Sequence, residues 1–147
     1  MTPRVVVDPG VMVSALLVST SPPAQVLDGW RERRFKMVVS DRLLDELEEV
    51  LFRPKFRQRV TTEQRTSFLA LLRQGGESQP DPPAAPGLTA DPGDDYLAAL
   101  ALAVRATHLV TGDKGLLGWQ NDAVIVTNPR RFIEDLTRVE AQAEHPS

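Results

Sequence analysis

The chain has 147 residues, of which 41% are apolar and 25% are charged, and these values are typical of one globular domain of average composition. The formal net charge is −3, so any nucleic-acid binding must depend on a local basic patch or a metal ion. The sequence has no cysteine, which excludes disulfides and thiolate metal sites and favours a reducing compartment. It has no signal-peptide pattern and no apolar stretch of about 20 residues, so we expect a cytoplasmic protein that does not enter a membrane.

The first half of the chain predicts two short strands that are each followed by helices. The valine run before Asp8 is short and β-branched, as buried parallel strands tend to be. Ser40 or Asp41 caps a helix whose leucines recur at helical spacing. The predicted elements are a strand at 4–8, helices at 11–18 and 23–34, a strand at 35–39, a helix at 41–52 and a helix that begins at Thr61 or Thr62.

The second half begins with a segment, 75–93, that is rich in proline, glycine and aspartate. We interpret it as an extended surface connector and not as a domain boundary. The elements predicted after it are a helix at 94–105, a strand at 107–111, a turn or short helix at 113–117, a strand at 123–127 and a helix at 129–139. We therefore predict one domain over residues 1–140 and a polar tail at 141–147.

This order of elements predicts an α/β protein. Four short apolar strands that alternate with helices favour a three-layer α/β/α sandwich around a short parallel central sheet. In such sheets, ligands bind beyond the carboxyl ends of the strands. The residues at those ends are therefore the first candidates for a functional site.

Acidic residues stand at or near these strand ends. Asp8 ends the first strand, Asp113 follows the third, and Glu46 lies in the helix after the second. Asp94 and Asp95 open the helix that precedes the third strand. A parallel sheet can bring these groups to one edge although they are far apart in the sequence.

Each of these acids also has a purely structural interpretation. Asp8 before Pro9 fits a helix N-cap, and the pair 94–95 fits the first turn of a helix, where acids complement the helix dipole. Glu46 fits a solvated helix position, and Asp113 fits a turn. The pattern of four acids favours a functional site, whereas no single acid does.

Three or four carboxylates within a few ångströms of one another must take up protons or bind a cation. Oxygen ligands without cysteine, and with histidine only at positions 108 and 145, favour a hard ion such as Mg²⁺ or Mn²⁺. Such an ion can activate water for attack on a phosphodiester and stabilise the leaving oxygen. The acids therefore predict a metal-dependent site for phosphodiester hydrolysis.

Taken in order, these residues resemble the PIN domain family, and most closely the VapC-like toxin components of bacterial toxin–antitoxin systems. The resemblance runs from "VVVDPGVMVSALL" to "VIVTNPRRFIEDL". Asp8 matches the aspartate that ends the first strand of the family pattern, Glu46 matches the glutamate of a "LLDELEEVL"-type helix, and Asp113 matches the aspartate of "LVTGD". Asp94 matches the acid that opens a D-x-x-L-A-A helix, with Asp95 as the competing candidate.

The resemblance implies a ribonuclease that depends on Mg²⁺ or Mn²⁺. The catalytic residues that it implies are Asp8, Glu46, Asp94 and Asp113, and these four together with Asp95 form the implied metal-ligand set. It further implies RNA as the substrate, a cognate antitoxin as the inhibitory partner, and a homodimer.

Two departures from the family pattern predict a weakened site. Pro9 and Gly10 stand where relatives carry a threonine and an asparagine, so a hydroxyl and an amide that support the acids are missing. Losses of this kind typically cost about 10- to 100-fold in metal affinity or activity. Gly115 stands where many relatives carry a further acid. Ser14 and Lys114 are candidate polar neighbours of the site.

An RNA-cleaving domain also needs cations near its acids. The segment "RPKFRQR" supplies Arg53, Lys55 and Arg57 as candidate RNA-binding residues, and "WRERRFK" at 30–36 is a second basic cluster. Both segments also fit solvated helix ends, and we favour a core position for their aromatic side chains.

Two other functions remain open from the sequence. A catalytically weakened PIN-like domain would act by binding RNA or a partner protein, and the Pro9-Gly10 pair motivates this alternative. A phosphotransfer domain of the phosphatase or receiver type would also use Mg²⁺, but phosphatases need a second acid where this chain has Gly10, and receivers need an acid pair at the first strand end, which it lacks.

Overall fold

Five parallel strands form the centre of the fold. A computed structural model describes residues 2–83 and 87–144. The strands lie in the order β3-β2-β1-β4-β5, and each neighbouring pair is parallel. They are β1 (Arg4–Val7), β2 (Lys36–Val39), β3 (Glu77–Ser78), β4 (His108–Val110) and β5 (Ile125–Thr127). The predicted α/β/α fold with a short parallel sheet is confirmed.

Helices connect the strands, and a 3₁₀ turn at Pro92–Asp94 leads into one of them. Three of the helices begin where the sequence supplies a cap, because Ser21, Ser40 and Thr61 each accept a hydrogen bond from a backbone N–H in the first turn. The helices are α1 (Pro9–Leu17), α2 (Pro22–Arg31), α3 (Asp41–Leu51), α4 (Pro54–Arg57), α5 (Thr62–Gly75), α6 (Asp95–Ala103), α7 (Lys114–Leu117) and α8 (Pro129–Glu144).

The central strand β1 is held by burial. Val5, Val6 and Val7 have no exposed surface, since β2 and β4 flank the strand and helices cover it. Full burial of an aliphatic side chain of this size contributes about 1.5–3 kcal/mol. The end of β1, and with it Asp8, is therefore fixed by the most completely buried run of the chain.

The connector predicted at 75–93 contains a fifth strand, so the prediction of four strands is wrong. Residues of β3 pair in parallel with Val38 and Val39 of β2. Two polar residues, Glu77 and Ser78, show no apolar or alternating pattern, and only their backbone pairing makes them a strand. Residues 84–86 of the predicted connector lie outside the described residues.

The closing helix is longer than predicted. Because α8 runs to Glu144, the predicted domain limit at residue 140 falls inside it. Arg34 Nε donates a hydrogen bond to Glu140 Oε2 at 3.0 Å, and this contact ties the end of α8 to the turn after α2. Residues 145–147 of the predicted tail lie outside the described residues.

No single helix in residues 2–83 and 87–144 has the length and apolar character needed to cross a membrane. The helices α1 and α2 meet those criteria only when they are taken together, and the chain bends by 99° between them.

Gly76 joins α5 to β3 in a space that admits no side chain. A Cβ at this position would lie 2.6 Å from the Leu72 carbonyl oxygen and 2.9 Å from the methyl groups of Val39. We expect Gly76→Ala to lower the free energy of unfolding by about 1–3 kcal/mol, measured by urea denaturation. The control is Gly118→Ala, whose Cβ would make only ordinary contacts at 3.5 Å and beyond. Equal stability of the two variants would contradict this packing.

Candidate functional site

Three acids meet at the carboxyl edge of the sheet. Asp8 follows β1, Asp113 lies shortly beyond β4, and Asp94 immediately precedes α6. All three line one cavity of about 650 Å³, which we call the acidic cavity. Residues of α1, the start of α2 and the start of α8 complete its walls. The structure thus brings together three of the four acids that were predicted to be catalytic.

Asp8 combines the two roles that the sequence left open, because it caps a helix and also lines the acidic cavity. Its Oδ1 accepts a hydrogen bond from the Gly10 N–H at 2.9 Å and caps α1. Its Oδ2 accepts one from Thr111 Oγ1 at 2.7 Å. The Asp8 N–H donates to the Val110 carbonyl at 2.9 Å, which extends β1 along β4. Each carboxylate oxygen can accept more than one contact, so capping leaves capacity for a ligand.

Thr111 supplies Asp8 with a hydroxyl from a different place in the chain than in the family pattern. Its side chain is completely buried. The hydroxyl donates to Asp8 and accepts the Asp113 N–H at 3.0 Å, so one side chain orients two acids. The side-chain hydroxyl and amide that Pro9 and Gly10 lack are absent as predicted, but Asp8 receives a hydroxyl from the residue after β4 and an N–H from the backbone of α1; whether the site is weakened stays a prediction.

Asp113 caps α7 and keeps an open approach. Its Oδ2 accepts a hydrogen bond from the Leu116 N–H at 2.9 Å. A Cβ on Gly115 would lie only 3.2 Å from this oxygen, so the glycine that replaces a family acid leaves room around Asp113. Of the two predicted polar neighbours, Ser14 lines the acidic cavity and Lys114 does not.

Asp94 carries the least compensated carboxylate of the site. Its Oδ2 is buried, and no hydrogen-bond partner for it exists in the described residues. Burial, proton sharing with Asp113 and the charges of Asp113, Asp8 and Asp91 raise the pKa of Asp94 from 3.8 to about 7. Without a cation, this carboxyl is therefore partly protonated near neutral pH.

Glu46 lies beside the acidic cavity and is not one of its lining residues. Its Oε2 is buried, again with no partner among the described residues. Burial raises the pKa of Glu46, the charge of Asp8 raises it further, and Arg42 and Arg53 oppose the rise. Glu46 is thus close enough to Asp8 to interact with it, while its place in a ligand set stays a prediction.

Asp95 has a structural role outside the acidic cavity. Its Oδ1 accepts hydrogen bonds from the Thr89 N–H at 2.8 Å and the Thr89 hydroxyl at 2.7 Å, and its Oδ2 accepts one from the Gly87 N–H at 3.0 Å. These bonds, chiefly those from Thr89, lower the pKa of Asp95. The carboxylate of Asp95 therefore holds this loop against α6 and does not line the acidic cavity, while its place in a ligand set stays a prediction.

The acids suit a divalent cation in their chemistry, although they do not converge on one point. No three histidine, aspartate or glutamate side chains in the described part of the chain stand where they would hold an ion. Two buried oxygens without partners, on Glu46 and Asp94, are of the type that a hard cation prefers. A cation at this edge would also offset the repulsion that raises the pKa of Asp94. The residues present therefore fit such an ion.

The basic residues that were predicted to bind RNA lie outside the acidic cavity. Arg53, Lys55 and Arg57 are exposed in or beside α4. Arg57 Nε donates to the Phe52 carbonyl at 3.0 Å, and the charge of Arg53 acts on the pKa of Glu46. Arg53 is thus the member nearest to the acids, and RNA binding by the three residues stays a prediction.

Two residues at the start of α8 line the acidic cavity and were missed from the sequence. Asn128 Oδ1 accepts the Arg131 N–H at 2.8 Å and caps the helix, and Arg130 is the one cation among the described lining residues. The segment "NPRRF" carries a helix-start signal. It gives no indication of which arginine reaches the site, because that depends on the position of β5.

The chain matches one protein family over most of its length. A family model described as "PIN domain" matches residues 4–115, a span that contains all the predicted acids. The chain belongs to the PIN domain family. Members of this family are typically nucleases and usually use divalent metal ions.

The fold of this PIN domain is similar to that in the crystal structure of PAE2754 from Pyrobaculum aerophilum. The two chains are 18% identical, the TM-score is 0.65, and the similarity covers 93% of this chain and 90% of the other. No curated protein matches the chain in sequence.

The raised pKa of Asp94 predicts the pH dependence of the metal-free PIN domain. Since the folded-state pKa of about 7 exceeds the ordinary value of 3.8, the contribution of Asp94 to stability is full at low pH and is lost as pH rises through 7. In EDTA, Asp94→Asn should match wild type at pH 4 and exceed its melting temperature by about 2–4 °C at pH 8, after discounting for partial solvent exposure. Asp122→Asn, at an exposed position, should have the same melting temperature relative to wild type at both pH values. A constant difference between wild type and Asp94→Asn across this range would contradict the assignment.

Proposed function

We propose that this PIN domain is a divalent-metal-dependent endoribonuclease that hydrolyses phosphodiester bonds in RNA. The observation that carries the proposal is the buried, unpartnered Oδ2 of Asp94 beside the carboxylates of Asp8 and Asp113 in one cavity. Acids that repel one another in this way destabilise a fold unless a cation joins them, and such groups are characteristic of functional sites.

The side chains at the strand ends have distinct parts in this proposal. Asp8, Asp94 and Asp113 would hold the ion, with Glu46 added from α3. Thr111 orients two of the acids through its hydroxyl. Oxygen ligands favour Mg²⁺ or Mn²⁺. When bound, the ion supplies the Lewis acidity that activates water and neutralises charge on the scissile phosphate.

Arg130 is positioned to receive the substrate. RNA must bring phosphates towards a cavity lined by three acids, so an anchoring cation is required there. No ion pair of Arg130 is recorded in the described residues, whereas Arg34, Arg53 and Arg138 each have one. Its planar guanidinium can bind two phosphate oxygens at once. We assign Arg130 the role of positioning the phosphate next to the acids.

The biological setting is proposed from the resemblance alone. The VapC-like pattern supports a toxin of a toxin–antitoxin pair that acts on RNA in the cytoplasm, is inhibited by a cognate antitoxin and forms a homodimer. Light scattering of the purified chain tests the last point, because a single species of monomer mass at high concentration would exclude the homodimer.

A second candidate is a PIN-like domain that binds RNA or protein but cleaves weakly. The Pro9-Gly10 pair motivated it, and the support that Asp8 receives from Thr111 weakens its main argument. Calorimetric titration with Mn²⁺ separates the two candidates. Saturable binding that is lost in Asp94→Asn favours the nuclease, and no binding at millimolar ion favours the second candidate.

Removal of single carboxylates tests the nuclease proposal. We expect Asp8→Asn and Asp94→Asn to lower Mn²⁺-dependent cleavage of a labelled single-stranded RNA by at least about 100-fold, because each removes a charged ligand while asparagine keeps the shape. Asp122→Asn, which removes an exposed acid elsewhere, should cleave like wild type. Equal cleavage by all four proteins would show that the activity came from a contaminating nuclease.

The two adjacent arginines of α8 test the phosphate anchor. We expect Arg130→Ala to raise KM for RNA about tenfold with a smaller change in kcat, since the lost contact binds substrate and transition state alike. Arg131→Ala removes the same charge from the same turn and should change KM less than about twofold. An equal effect of both substitutions would mean that only general charge matters, and it would remove the specific role of Arg130.

A further inference from the structure

The edge of the sheet opposite the acidic cavity carries a cluster of positive charge. We call this surface, formed by Arg4, Arg33, Lys36 and Arg105, the basic face. Its residues line two adjoining cavities of about 370 and 500 Å³, which share Lys36. Both cavities lie where the strands begin, because Arg4 and Lys36 are the first residues of β1 and β2 and are register partners.

The basic face is positively charged although the chain as a whole is negative. Among the described lining residues of the two cavities, the four cations stand against one carboxylate, that of Glu77. Glu77 is bound by Arg4 at 2.8 Å. The cluster contains part of the basic segment 30–36, which the catalytic proposal leaves without a role.

Two arginines of the basic face occupy backbone positions that favour glycine. Arg33 has φ of 62° and Arg105 has φ of 56°. Each ends a helix in the same way, with the next N–H bonded to a carbonyl five residues back, that of Gly29 or of Ala101. The left-handed conformation costs a residue with a side chain about 1 kcal/mol relative to glycine. Two arginines at such positions indicate that their side chains have a use.

We propose that the basic face is a second RNA-binding surface, which holds backbone phosphates of a strand whose cleavage site lies in the acidic cavity. This inference rests on the proposed ribonuclease function. The charges suit a polyanion, and the exposed arginines suit phosphate oxygens. Trp30 and Phe35 in the same region are buried, with 8% and 2% exposure, so they offer no platform on which bases stack. Binding here is therefore independent of base sequence.

The distance between the two surfaces makes the contribution of the basic face depend on RNA length. The four residues of β1 span about 13 Å, and a strand must also pass around the body of the domain. An RNA of about 4 nucleotides fills one small binding site and reaches only the acidic cavity. A strand of about 20 nucleotides is long enough to contact both surfaces.

The test replaces Arg33 and Arg105, whose backbones are in the left-handed conformation, by glycine, which that conformation favours. Arg33→Gly/Arg105→Gly is made in the Asp94→Asn background, and anisotropy measures binding of fluorescent RNAs of about 4 and about 20 nucleotides at several salt concentrations. We expect the affinity for the long RNA to fall about tenfold and its log–log salt slope to shrink by about 1.4, the release expected for two phosphate contacts on a single strand. Affinity for the short RNA should stay within about twofold.

Stability and a charge control keep the result interpretable. The double variant should melt at or above the temperature of its parent, because glycine is compatible with both positions. Arg131→Ala in the same background should leave the length dependence intact.

An equal loss of affinity for both RNA lengths would overturn the second surface. No loss of affinity for either RNA would also overturn it, and an acidic protein would then be the better candidate ligand of the basic face. Suppose that the wild-type protein cleaves the short RNA in Mn²⁺, and that the double variant binds the long RNA as tightly as Asp94→Asn alone. The nuclease proposal then stands and this inference fails. If no RNA is cleaved but binding of the long RNA depends on these arginines, the nuclease proposal fails and the basic face remains an RNA-binding surface without a cleavage site.

Discussion

Mutual repulsion among the carboxylates at the ends of β1 and β4 is the constraint on which the site depends. Each acid stands where a helix begins, and the partial positive charge of a helix N-terminus offsets part of that repulsion. Asp8 and Asp113 are also satisfied by backbone N–H groups. Asp94 receives no hydrogen bond at Oδ2, and burial of this carboxyl, together with the neighbouring acids, raises its pKa.

Thr111 allows the chain to depart from the family pattern at residues 9 and 10. Its backbone N–H bonds to the Thr127 carbonyl in β5, which fixes its place beside β1, and its hydroxyl then bridges Asp8 and Asp113. The support of an acid at this edge of the sheet can thus come from the end of a neighbouring strand as well as from the following helix. A Cβ at position 115 would lie 3.2 Å from Asp113 Oδ2, so glycine there leaves more room around that carboxylate.

The sequence predicted those parts of the structure that repeat a local pattern. The apolar strands and the capped helices follow from burial and hydrogen bonding within a few residues, and the prediction of an α/β sheet followed from them. The pair Glu77–Ser78 has no such pattern, since β2 alone makes it a strand. The different surroundings of Asp94 and Asp95 could not be predicted, because the bonds from Gly87 and Thr89 to Asp95 form only when the preceding loop folds against α6.

The place of Arg130 in the cavity could not be predicted from the sequence for a related reason. Arg130 and Arg131 are adjacent and of the same residue type. The Asn128 cap and the end of β5 orient the helix start so that only Arg130 of the two lines the cavity. Burial of Trp30 could be predicted, because it lies on the apolar face of α2 and is 8% exposed, whereas Phe56 in the other basic segment is only half-buried. The cluster formed by the cations of segment 30–36 could not be predicted, because they come close to Arg4 and Arg105 only in the folded sheet.

The separation of acidic and basic charge supports the proposed cation site. An arginine within hydrogen-bond distance of Asp8 or Asp113 would pair with the carboxylates, lower the pKa of Asp94 and compete for the oxygens that an ion requires. Cations that attract a polyanion must therefore stand away from the carboxylate oxygens or on another surface altogether. A parallel sheet provides that second surface, since its strands end at one edge and begin at the other. In this chain most of the cations that line the acidic cavity and the basic face stand where the strands begin, and the acids stand at or near the strand ends.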